Sequence, residues 1–428
     1  MEPLCPSQFA YLLNLLDRDL AVQLQDESRG RMTKSKFGDL AAFSPTSAAH
    51  DLFNLISKLS NGARTFVYGS DYEAIMVERL MHLAPPEVTG YILDSPVSTT
   101  GVYNYFTDFD DIVDEVARTL MERCDHDRVC SSHFKEPDTL IAVFQDVLTA
   151  FDDQPGSACF EIINTMNIMN QKWPASHKLR KLISSLVISP WSYMTIPQLV
   201  YRLKRCQPHD VDVLTSFIDN LLNQGLLKNL DSSGQSSEML YFLIIYSELW
   251  ERPTPSVAEL KKRFTDTVGG WGIYADVKLY CAFSKEQSKV CDRYSFGKYG
   301  ARGINYKRDR YWNASVTIPS QASVLVMSSK MDMFSPIKYA KSLFESLISK
   351  HKELITFQTG SSPMFLSTHL QLRYLSGDTC ASKIIASYIR SDGDLTGLDK
   401  SCLDEMPTFQ MIPSDFNEAN FTNSPNFS

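Results

Sequence analysis

One segment constrains the fold of this chain more than any other. Residues 65–93 read as a strand, a sharp turn, a helix and a second strand, with no room between them for a long connection. Thr65-Phe66-Val67-Tyr68 is a short β-rich run and Gly69 marks the turn. Glu73 to Ala84 carries Ile75, Met76, Leu80 and Leu83 as the apolar positions of a helix, and Pro85-Pro86 stops it. Val88 to Leu93 is the second strand. A crossover of this length implies parallel strands in a covered sheet, which commits the chain to the α/β class.

The flanking sequence divides around this unit. Residues 8–24 and 45–59 have helical spacing, with Leu52, Ile56 and Leu59 on one face of the second. From about 99 to 318 the pattern is helical with polar connections. Residues 137–151, 195–205 and 210–224 are the clearest helices, the last with Gly225 as a C-cap. No repeat of fixed period is present, which excludes a solenoid. The βα pattern then returns. Ser323 to Met327 is a strand, Ser335 an N-cap with Pro336 at N1, and Ile337 to Ser349 a helix. Glu353 to Phe357 is a further strand, followed by helices near 363–375 and 380–390 and a polar tail from Pro413. The expected division is 1–98 and 319–428 as two parts of one α/β core, with 99–318 as a helical cap.

Composition excludes several classes. The 428 residues are 43% apolar with a formal charge of −8, so the chain is neither disordered nor a general nucleic-acid binder. The longest clear apolar run, Met239 to Tyr246, is far short of the ~20 residues that span a bilayer. Asp292 to Trp312 interleaves basic and aromatic residues, a pattern that can bind single strands. It equally suits a packed linker with solvated charges, the reading adopted here. The nine cysteines contain no CxxC, so no structural zinc site is expected. Cys124 with Cys130 and Cys281 with Cys291 would be disulfides in an exported protein and thiols in a cytosolic one. Asn313 and Asn420 head glycosylation sequons. Glu2 and Asp17 do not suit a signal peptide, so the default compartment is the cytoplasm, or the exterior if the N-terminus is truncated.

Three segments carry a resemblance: VYGSDYEAIMVERLMHLAPPEVTGYILD (67–94), ASVLVMSSKMDMFSP (322–336) and ELITFQTGSSPMFLST (353–368). Together, over about 40–390, they resemble the serine-peptidase branch of the α/β-hydrolases, the prolyl-aminopeptidase and tricorn-interacting-factor type. The resemblance implies a parallel sheet under a helical cap and a cofactor-free Ser–His–Asp triad acting on short peptides or small esters and amides. The family's elbow reads G-x-S-x-G. Here it is Gly69-Ser70-Asp71-Tyr72-Glu73, which puts Asp71 at the nucleophile position and Glu73 at the second glycine. Ser70 is the alternative nucleophile, one residue off the apex. Asp332 aligns with the triad acid, and Ser362 stands where the base His belongs. His369 is seven residues further on, about 10 Å along a helix, and reads as a helix-surface residue.

Two readings of Asp71 stay open at this point. It is a nucleophile in its own right, or the elbow is eroded and an acidic helix N-terminus remains. Without imidazole, neither Ser nor Asp has its base. Glu73 is expected to force the tight turn to relax. No Gly-rich oxyanion loop precedes Thr65, and the strand there is expected to form an exposed sheet edge open to self-association. The sequence therefore gives two functional expectations: an impaired serine-type hydrolase, or a non-catalytic binding protein that keeps the capped pocket.

Overall fold

A computed structural model describes residues 39–407 apart from 61, 135–137, 167–171, 189–191, 224–237, 295, 297–302 and 371–377. The expected helix at 8–24, the Gly225 cap, Asn420 and the polar tail lie outside the described residues. The described residues fall into two compact units, described separately: one within 39–108, 238–257 and 274–407, the other within 109–223 and 258–273. Segments 238–257 and 274–318, which the sequence groups with the helical interval, thus cluster with the sheet in their described residues.

The sheet unit begins with α1 (Pro45–Leu59), whose N-terminus is capped by Ser44 accepting from the Ser47 N–H at 3.2 Å. β1 (Thr65–Ser70), α2 (Glu73–Leu83) and β2 (Val88–Asp94) follow. α2 ends at Ala84, which turns left-handed (φ 51°) so that its N–H reaches Leu80 O and Met81 O, and Pro85 prevents continuation. Gly69 is required by the close approach of α2. A Cβ there would lie 2.7 Å from Val77 Cγ2 and 3.0 Å from the Glu73 backbone.

The second unit is helical among its described residues. It holds α3 (Phe109–His126), α4 (Leu140–Asp153), α5 (Ala158–Thr165), α6 (Ala175–Ile188), α7 (Ile196–Arg205) and α8 (Pro208–Asn223). Its internal fixings include the Cys124–Cys130 and Cys159–Cys206 disulfides. The buried Asp110 carboxylate accepts the N–H groups of Trp271, Gly272 and Ile273 at 2.5, 2.8 and 3.0 Å. α10 (Val257–Thr265) lies in this unit from residue 258, whereas α9 (Glu238–Ile244) and α11 (Val277–Ser284) belong to the sheet unit.

The sheet resumes with β3 (Ser323–Ser329), α12 (Ile337–Ser346), β4 (Lys352–Phe357) and α13 (Cys380–Arg390). All pairings are parallel in the order β1-β2-β3-β4, so β1 is an edge strand among the described residues. The two-residue period assigns the faces. Val67, Tyr91, Leu93, Val324 and Val326 pack with Ala49, Ile56, Leu80, Ala340 and Leu343 of α1, α2 and α12. Ile92, Leu325, Met327, Ile355 and Phe357 pack with Ala381, Ile384 and Tyr388 of α13. Helices thus cover both faces, the arrangement a parallel sheet needs. The α/β class is observed, with a four-stranded parallel sheet.

Several expectations need correction. Ser335 does not cap α12. Pro336 occupies the cap position, and the Ser335 hydroxyl instead donates to Pro96 O at 2.5 Å. α12 stops at Ser346 because Ile348 pairs with Thr317 as an isolated bridge. Of the helix expected near 363–375, 371–375 lie outside the described residues and the rest holds a single turn, Met364–Ser367, while His369 bridges Thr379 rather than lying on a helix surface. The basic-aromatic stretch is packed in its described part. Arg308 donates to Ser247 O, Glu248 O and Trp250 O at 3.1, 3.1 and 2.7 Å and lies over the Trp312 ring. No described helix is long and apolar enough to cross a membrane.

Candidate functional site

Because the four strands run the same way, their C-terminal ends line one margin of the sheet, the side on which open α/β sheets bind ligands. The residues singled out from the sequence all reach that margin. Asp71 follows β1, Asp332 follows β3 and Ser362 follows β4. Asp94, the last residue of β2, completes the row.

Asp71 is the apex of the β1–α2 turn and sits at φ 48°, in the left-handed region that a non-glycine residue occupies at a cost of about 1–3 kcal/mol. Its neighbours over-determine that geometry. Asp71 N donates to Asp94 O at 3.0 Å, and Asp71 O accepts from Ala74 N and Val97 N at 3.2 and 3.1 Å. The turn therefore has not relaxed, contrary to the expectation from Glu73. The Glu73 side chain is exposed and folds back to accept the Ser70 N–H at 3.3 Å, which takes it away from the apex.

The Ser362 hydroxyl donates to Asp71 Oδ1, so the loops after β1 and β4 meet through this pair. Both side chains are partly exposed. Asp332 is fully buried. Its Oδ1 accepts from Phe334 N and Ser335 N at 3.0 and 3.3 Å. Asp71 acts on it through space as a like charge. Ser70 lies in β1 opposite Asp94, and no hydrogen bond joins it to Ser362 or Asp332. The structure thus pairs Asp71 with Ser362, holds Asp332 within electrostatic reach, and leaves Ser70 outside the arrangement.

Burial dominates the electrostatics. It pushes Asp71 up to about 6, against the Ser362 hydrogen bond, and the charges of Asp94 and Glu73 add to the rise. Burial likewise pushes Asp332 up to about 7, with Ser95 opposing and Asp71 reinforcing. Three carboxylates at one margin cannot all ionise cheaply once desolvated. No histidine hydrogen-bonds Asp71, Ser362 or Asp332. The His82 Nε2 lies 3.3 Å from Ala314 O and its ring stacks on Tyr311, while His369 is tied to Thr379. Among the described residues no group of His, Cys, Asp and Glu side chains could hold a metal.

Sequence reasoning passed over Asp94, which organises the margin. Its Oδ1 accepts from Ser95 Oγ and Met364 N at 3.2 and 2.8 Å, and its Oδ2 from Tyr68 OH and Phe365 N at 2.7 and 2.9 Å. Asp94 therefore fastens the loop that presents Ser362. The available signal was an acid closing an otherwise apolar strand, since a buried carboxylate needs a dedicated set of donors. Chemically, the pair can bind and orient a polar group. A hydroxyl, unlike an imidazole, is far too weak a base to accept a proton near neutral pH, so Ser362 cannot serve as a general base. No protein-family model matches the chain, and no curated protein matches it.

Proposed function

We propose that this chain is an α/β-hydrolase-fold homologue of the serine peptidases in which acyl transfer has been lost, leaving a carboxylate-lined binding margin for small polar ligands such as short peptides or amides. The observation that carries this reading is the Asp71–Ser362 hydrogen bond. It joins the turn after β1 to the loop after β4, the two places where the family resemblance puts nucleophile and base. The left-handed apex at Asp71 supports it as well, because a nucleophile elbow is a strained turn of this kind.

A mixed anhydride formed by acyl transfer to Asp71 would need a base to activate water, and Ser362 supplies none. Assays of the purified chain on aminoacyl and acyl reporter substrates are expected to give no turnover above buffer. Measurable turnover that survives both Ser70→Ala and Asp71→Asn would place the site elsewhere. Turnover abolished by Asp71→Asn alone would restore the reading of Asp71 as a nucleophile.

A further inference from the structure

We propose that this protein matures in an oxidising compartment and carries an N-linked glycan on Asn313. Two independent features converge on the same location. Eight of the nine cysteines form four disulfides, Cys124–Cys130, Cys159–Cys206, Cys281–Cys291 and Cys380–Cys402. Their Cα–Cα separations are 5.1, 6.0, 5.2 and 5.4 Å, inside the bonding window of roughly 4.4–6.8 Å. The pairs occur in both units and bridge as many as 47 residues. A reducing cytosol keeps thiols unpaired, and buried cysteines there are simply small apolar side chains. Each bond forms by thiol–disulfide exchange with a protein disulfide donor, which takes up the two electrons and two protons released by the thiols.

The second feature is the Asn313-Ala314-Ser315 sequon. Asn313 and Ser315 are both exposed, and the backbone between them is anchored. Asn313 N donates to Thr99 O at 2.9 Å, and Ala314 O accepts from Thr100 Oγ1 at 3.3 Å. Asn313 adopts φ 58°, a conformation that asparagine tolerates better than most residues, and its side-chain amide makes no hydrogen bond with the described residues. The folded chain can therefore carry a bulky substituent there without losing a native contact. In the transfer step the Asn313 amide nitrogen bonds to the anomeric carbon of a lipid-pyrophosphate-linked oligosaccharide. The anomeric carbon–pyrophosphate bond breaks, the lipid pyrophosphate leaves, and the amide gives up one proton.

Non-reducing peptide mapping of the full chain, isolated from its own cells, tests both parts. The expected result is four disulfide-linked peptide pairs, together with Asn313 recovered as aspartate after peptide N-glycosidase treatment. Asn313→Gln and Ser315→Ala, expressed in the same cells, should each lose the mass of one glycan while the linked pairs remain. Linked pairs with an unmodified Asn313 would overturn the glycan site. Free, alkylatable thiols at these cysteines would overturn the oxidising compartment itself. Neither result depends on whether acyl transfer has been lost.

Discussion

The Asp71 carboxylate and the Ser362 hydroxyl hold each other at the end of the sheet, and the neighbouring acids make the protein's stability depend on pH. Burial raises Asp332 to about 7 and, in the same unit, Glu78 to about 7. A carboxyl whose folded pKa is raised binds more protons in the native than in the unfolded state between the two values. Its contribution is therefore complete at low pH and is lost as pH rises through the folded pKa, so stability should fall from about pH 4 to about pH 8. Asp332→Asn keeps an Oδ1 acceptor for Phe334 N and Ser335 N while removing the charge. Melting curves should show a flatter pH dependence and, near pH 8, a melting temperature higher than wild type by a few degrees. An unchanged slope would mean that Asp332 is not held protonated by burial. Asp94→Ala should act in the opposite direction. It strands the Met364 and Phe365 N–H groups and the Tyr68 hydroxyl, each costing about 1–3 kcal/mol where it stays buried. A loss of several kcal/mol in denaturant titration, with faster amide exchange at 364–365, is expected.

At the scale of elements, the βαβ unit was legible because local chemistry and global packing agree there. Gly69 permits the close approach of α2, and Pro85-Pro86 ends it. Less legible were features set by distant partners. The end of α12 depends on Ile348 finding Thr317, and the role of Asp94 on a loop some 270 residues away. The disulfides divide in the same way. Close sequence spacing pointed to Cys124–Cys130 and Cys281–Cys291, whereas Cys159–Cys206 and Cys380–Cys402 follow only from the fold. The substitutions at Asp71 and Ser362 were readable as residue types, but their mutual hydrogen bond was not, because it closes across 291 positions. β1 carries the next prediction. It is the outer strand among the described residues, with Tyr68 still 37% exposed. Unpaired backbone on such an edge invites pairing with another chain. Size-exclusion chromatography with light scattering should show a dimer or larger species. A monomer with slow amide exchange at 65–68 would show that the edge is already covered.

At the scale of the molecule, the proposed function holds that the sheet margin keeps the strained turn of a hydrolase elbow but has lost acyl transfer. Restoring the motif should therefore not restore activity. Asp71→Ser, Glu73→Gly and Ser362→His together are expected to stay within about tenfold of background, since acyl transfer also needs oxyanion donors, which these three changes do not supply. The most direct measurement is a single-turnover incubation of the wild-type chain with an activated acyl ester in water enriched in heavy oxygen, followed by peptide mass analysis. No acyl adduct is expected on Ser70 or Ser362, and no heavy oxygen in the Asp71 carboxylate. An adduct on either serine, or heavy oxygen incorporated at Asp71, would show that acyl transfer survives at this margin and would overturn the proposed function.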